Sequence, residues 1–337
     1  MNQSDKSRIL WADSLKAILM VIVVIDHAIQ YVEHDSCFYN HFWNITSSFY
    51  LPAFVAISGW FAYRKKSKAK SALYLIFRRC KQLLVPFLLW SFIKMVVEGD
   101  CTISRAWEML RIPDSTFWFL WALFFIYIIF VLVQKTALLL RAKEDYFIIL
   151  SAFMMMMMMV LLEFRQFGFQ FIAYYYLYYV IGYFIHKYPI VLCNKRSLNI
   201  SIFAMWLFLG WYWHMHEIPS WLSFIPYVPS TLLHYCYRGI TALLMIYLLF
   251  NCYPIIGNDN TKFNRMLAAI GKITLGIYVV HILIIHCMSS YIDDLNAYTN
   301  TISLEFAVFI VLFPVSVGIV KILSCYNYTN RFLLGKN

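Results

Sequence analysis

Charge is what this sequence has least of. Only 13% of its 337 residues are Asp, Glu, Lys or Arg, about half the share carried by soluble domains. Apolar residues make up 62%, and the mean hydropathy is +0.66. These values exclude an ordinary soluble domain and predict an all-α, polytopic integral membrane protein. The eight cysteines include no CxxC pair, so nothing suggests a structural metal site. Cys37 and Cys101 both fall in segments expected to face outward, where a disulfide and two free thiols are both open. No small-residue cleavage site follows the first apolar run. That run is too long and too charged for a signal-peptide core and is read as retained. No repeat, low-complexity linker or soluble end segment is visible, so residues 1–337 are read as one transmembrane domain.

The apolar runs predict about ten spans, near 9–32, 42–63, 73–97, 117–140, 145–162, 170–187, 198–214, 231–253, 266–290 and 302–324. The net charge of +11 could suggest nucleic acid, but its distribution points elsewhere. With both termini cytoplasmic, the inner segments hold Lys6, Arg8, the cluster Arg64, Lys65, Lys66, Lys68, Lys70, Arg78, Arg79 and Lys81, and most remaining cations. The outer loops hold Arg105, Arg111 and Arg165. That asymmetry follows the positive-inside rule. The basic surplus is therefore topological, and no nucleic-acid partner is expected. The Trp- and Tyr-rich stretch Trp211–Ser230 reads as an interfacial aromatic belt. The run Met154–Met159 reads as lipid-facing filler.

Against this background the first span is unusual. Ser14–Tyr31 carries Lys16, Asp26 and His27 inside an apolar run. Ionisable groups at membrane depth cost at least ~2.5 kcal/mol each. Lys16 and His27 are 11 positions apart. That is about three helical turns, so both lie on nearly one face, ~16 Å apart along the axis. Two readings follow. In one, a cation and an imidazole mark two stations of a reaction path. In the other, they form part of an ion or proton path in a transporter.

Three further stretches carry polar or special residues. Ser48–Phe61 holds Pro52 and the Ser58–Gly59 pair, which allow a kink and close helix approach. Phe77–Phe87 places Arg78, Arg79 and Lys81 at the cytoplasmic mouth of the third span, and arginine's forked donors suit phosphate oxygens. Ile270–Ile285 holds Gly271, Gly276, Tyr278 and His281 in one predicted span.

These stretches, taken in order, resemble the type-3 membrane acyltransferase family, and within it the sugar O-acetylase branch that includes fucose O-acetylase-like proteins. The resemblance rests on Lys16 through His27, Phe54 with Ser58–Gly59–Trp60, Arg78 and Arg79 leading to Pro86, Trp118–Phe119–Leu120, and Gly276–Ile277–Tyr278 with His281. It departs in having Lys16 where arginine is usual, Asp26 before the histidine, and Tyr50–Leu51–Pro52 where many sugar acetylases carry His-Met-Pro. The resemblance implies acetyl-CoA as a cytoplasmic co-substrate, with no tightly bound cofactor or metal. Lys16, Arg78 and Arg79 would bind the donor. His27 would act as general base, with Asp26 beside it, on a hydroxyl of an envelope glycan or lipid-linked sugar. Ser58, Tyr278, His281 and Trp118 are candidates for oxyanion or acceptor contacts. Direct transfer and an acetyl-histidine intermediate both remain open. The location implied is a bacterial cytoplasmic membrane, in contact with membrane lipid.

Overall fold

A computed structural model describes residues 9–63, 71–113, 117–162, 164–189, 195–225 and 228–336. The cations Lys6, Arg8, Arg64, Lys65, Lys66, Lys68 and Lys70 lie outside the described residues. Those described residues form helices and their connections, with no strand among them. In chain order the helices begin with α1 (Leu10–Glu33), α2 (His41–Ser47), α3 (Tyr50–Trp60), α4 (Ala72–Arg79) and α5 (Val85–Glu98). Next come α6 (Ile103–Arg111), α7 (Trp118–Leu139), α8 (Glu144–Leu162), α9 (Phe169–Lys187) and α10 (Arg196–Trp211). The last five are α11 (Ser230–Gly257), α12 (Lys262–Gly271), α13 (Thr274–Asn296), α14 (Thr301–Cys325) and α15 (Asn327–Phe332).

Among the described residues, seven stretches are long and apolar enough to cross a membrane: Leu10–Tyr39, Ala72–Glu98, Trp118–Leu139, Glu144–Leu162, Ser230–Gly257, Thr274–Asn296 and Thr301–Cys325. The chain is thus a polytopic all-α membrane protein. The other three expected spans are helical but differ in kind. The stretch 42–63 is broken between α2 and α3, where the Ser48 hydroxyl donates to the Ile45 carbonyl at 2.6 Å and competes with the backbone ladder. Helix α9 has the length, but six tyrosines lower its hydropathy. Helix α10 has 16 residues, short of the ~20 that a spanning helix needs. The expected span 266–290 also divides. Its first part is α12, which ends at Gly271, and α13 begins afresh at Thr274.

By its contacts the chain divides into two compact units, Met1–Phe54 with Ile190–Lys321, and Val55–Pro189 with Ile322–Asn337. In the first unit, α12 lies on α1 backbone to backbone. A Cβ at Gly271 would overlap the carbonyl of Asp13, so no larger residue permits that approach. Helix α2 is started by Asn40, whose side chain accepts the N–H groups of Phe42 and Trp43 at 3.0 and 3.2 Å. The expected aromatic belt is mixed: Trp211, Tyr212 and Phe224 are exposed, whereas Trp213 is buried with Trp43, Tyr237 and Ile29. Cys37 is buried, and both it and Cys101 are free thiols.

In the second unit, α3 and α9 cross equally closely. A Cβ at Gly59 would overlap the Tyr179 carbonyl, and one at Gly182 would overlap the Ala56 carbonyl. Small residues at a crossing let backbones meet, as in many membrane helix pairs. Helices α4 and α5 are one continuous rod joined by a π-helical turn, Cys80–Leu84. Its cause is Pro86, which has no N–H to give to the carbonyl four residues back and would clash with it. That carbonyl, of Gln82, is approached instead by Gly335 near the C-terminus. The methionine run on α8 is not all filler. Met155 and Met159, one turn apart, are buried, while Met154, Met157 and Met158 face outward.

Candidate active site and cation-lined cavity

Asp26, His27, Lys16, Tyr278 and His281 belong to the first unit, and Ser58, Arg78, Arg79 and Trp118 to the second. In the first unit α13 packs on α1 and brings two histidines together. The rings of His27 and His281 are 5.1 Å apart, edge to face at 79°. Each ring is oriented by its own helix. Nδ1 of His27 lies 2.8 Å from the Val23 carbonyl, and Nδ1 of His281 lies 2.8 Å from the Ile277 carbonyl. A carbonyl can only accept, so Nδ1 carries the proton in both rings. In the neutral imidazole each Nε2 then presents a lone pair. His281 is fully buried, and its Nε2 has no hydrogen-bond partner among the described residues. A buried polar atom of that kind asks for a ligand or a function. The arrangement can take a proton from a hydroxyl. Tyr278, one turn before His281, has its ring 6.0 Å away.

Asp26 is adjacent in sequence to His27 but serves another helix. Its two oxygens accept from Thr46 at 2.7 Å and Ser47 at 2.8 Å, both on α2. Side chains one position apart on a helix diverge by about 100°, so the buried carboxylate clasps α1 to α2 while His27 faces α13. Lys16 is held by Asp13, one turn back, at 3.2 Å.

In the second unit Arg78 and Arg79 line a cavity of about 380 Å³. They end α4, immediately before the π-helical turn, and such turns recur at functional sites. Arg79 lies 4.7 Å over the ring of Tyr127 and donates to Gln82 at 3.3 Å. The lining also includes Gln134, Glu144 and Tyr183. Ser58 and Trp118 are not among the lining residues. Ser58 sits next to the α3–α9 crossing, and Trp118 stacks on Phe171 of α9 at 4.2 Å. Sequence reasoning missed Tyr127, Gln134 and Glu144; Tyr183 lies in the stretch Tyr179–Phe184, which stood out in the sixth expected span without a role assigned. The available signal was Glu144 itself, an acid next to a connection that otherwise carries Arg141 and Lys143.

A family profile described as an acyltransferase domain, of type 3, matches residues 9–321. A search of curated proteins finds a nodulation protein, NolL, of Mesorhizobium japonicum, 27% identical over 139 residues. The match covers 36% of this chain and 35% of that protein, about a third of each. No solved structure matches.

Proposed function

The chain belongs to the type-3 acyltransferase family, and from that premise we propose that it moves an acetyl group from cytoplasmic acetyl-CoA to a hydroxyl of an envelope sugar. The observation that carries this reading is the histidine pair, with both Nδ1 protons tied to backbone carbonyls and both Nε2 lone pairs available. In the proposed step, His27 Nε2 takes the proton of the acceptor hydroxyl as the oxygen attacks the thioester carbonyl. The C–S bond then breaks, and the proton held by His27 passes to the departing CoA thiolate. His281 would share the transient proton or orient the hydroxyl. The Arg78 and Arg79 cavity would receive the donor's phosphates, since forked guanidinium donors match phosphate geometry. Lys16 would take part only by exchanging Asp13 for a phosphate oxygen. Asp26 acts in this reading as a positioning residue for α1 through its clasp to α2. Family membership favours acyl transfer over the ion-path reading of the same histidine.

The test is release of free CoA from acetyl-CoA by the purified full-length protein, with acetyl-CoA binding measured in parallel. His27→Ala is expected to bind acetyl-CoA and to release CoA ~10³-fold more slowly, within the range of general-base removal. A His27→Ala protein that turns over at the normal rate would sink the assignment.

A further inference from the structure

The cavity of the second unit holds more than cations. Glu144 lines it, at the first position of α8. Both donors near this carboxylate bind the same oxygen. Tyr183 Oη gives a hydrogen bond to Oε1 at 2.8 Å and Gln134 Nε2 gives one at 2.6 Å. Oε2 makes no hydrogen bond among the described residues. Lys187, the other cation on the wall, is already taken by Asp145. So one oxygen of this cavity-lining carboxylate is fixed by two donors, and the second has no hydrogen bond among the described residues.

A carboxylate is out of place in a site that takes only phosphates, because like charges repel. It fits if the ligand carries a hydrogen-bond donor some distance from its phosphate. Helix α7 measures that distance. Tyr127, under Arg79, and Gln134, beside Glu144, are seven residues apart, or ~10 Å along the axis. That is the scale of a nucleoside. The acceptor end is also walled by aromatic rings, with Tyr183 5.6 Å from Tyr63 and 5.0 Å from Phe130. Aromatic faces suit a planar base.

We propose that Glu144, oriented by Tyr183 and Gln134, accepts a hydrogen bond from the 6-amino group of the donor's adenine while Arg78 and Arg79 hold its phosphate. The proposal rests on the reading of this cavity as the acyl-CoA site, and makes Glu144 a specificity residue there. A site built to accept from an amino group rejects the analogue that lacks it, because the half-buried acceptor is then left without its partner.

The experiment compares binding of adenosine 3′,5′-bisphosphate with that of its analogue lacking the 6-amino group. It uses the full-length protein and its Glu144→Ala and Glu144→Gln variants, with acetyl-CoA titrated beside them. Wild type is expected to prefer the amino nucleotide by about tenfold or more. Glu144→Ala is expected to bring that ratio close to one by weakening the amino nucleotide alone. Glu144→Gln, which keeps the shape but offers a neutral acceptor, is expected to fall between. Equal binding of the two nucleotides by wild type overturns the role of Glu144 while leaving the donor site standing. So does an equal loss of both in the variants. If folded wild type binds neither nucleotide nor acetyl-CoA, the donor-site reading fails and the proposal with it.

Discussion

The histidine pair and the arginine cavity are built in opposite ways. The pair needs two helices and very little else. His27 and His281 each take their orientation from a carbonyl one turn back on their own helix, and packing of α13 on α1 supplies the 5.1 Å approach. The cavity draws its walls from the end of α4, a π-helical turn, α7, the start of α8 and the end of α9. In the pair, each ring's orientation is local and only the meeting of α1 and α13 is tertiary. The cavity is a polar recess whose geometry exists only when distant helices meet. Chemistry that needs one exact proton acceptor suits the first. Recognition of a large, many-featured ligand suits the second.

Four changes would break or sharpen that contrast. The largest effect is expected at the pair. His27→Ala and His281→Ala together should release CoA no more slowly than His27→Ala alone, about 10³-fold below wild type, if the two rings serve one proton. Rates that fall by the product of the two single effects would show independent roles. Next is the framework under the cavity. Gly59→Leu puts a side chain where the Tyr179 backbone stands and should cost about 3 kcal/mol in a thermal or denaturant melt. Gly318→Ala, inside α14 with nothing within 4 Å of a new Cβ, should raise stability by about 0.5–1 kcal/mol through helix propensity. Equal melting of the two variants would show that the α3–α9 crossing relaxes freely.

The third change acts on donor capture. Arg79→Ala is expected to raise KM for acetyl-CoA about tenfold with kcat nearly unchanged, and Arg79→Lys to recover only part of the loss because the fork is gone. A fall in kcat with constant KM would move Arg79 from binding to chemistry. The smallest effect concerns Lys16. Asp13→Asn removes the carboxylate that balances it at 3.2 Å. If Lys16 meets a donor phosphate, KM should drop, by about twofold if the pair is worth a few tenths of a kcal/mol, as weak ion pairs are. An unchanged or higher KM would leave Lys16 with a purely structural partner.

Much of the first site could be read from the chain. The 11-residue interval between Lys16 and His27 singled out α1, and Tyr278 with His281 singled out α13. Spacing on a single helix is enough for that, because 3.6 residues per turn fixes which side chains share a face. Asp26 was legible as a costly buried acid, and its divergence from His27 followed from the same period. That Thr46 and Ser47 receive it did not, since they lie 20 and 21 residues away across a turn. The break of 266–290 at Gly271 was equally hidden. Its reason is the contact with the Asp13 carbonyl, which no local pattern records.

By itself, the sequence determined an all-α membrane protein, the main apolar helices, and the two histidine-bearing segments, because hydropathy and helical period are local quantities. Tertiary structure alone decided that His27 meets His281, that Asp26 clasps α2, and that Glu144 faces the same cavity as Arg78 and Arg79. Those facts depend on which helices pack together, and residues separated by more than 60 positions, such as Arg79 and Glu144, carry no shared period that could announce it.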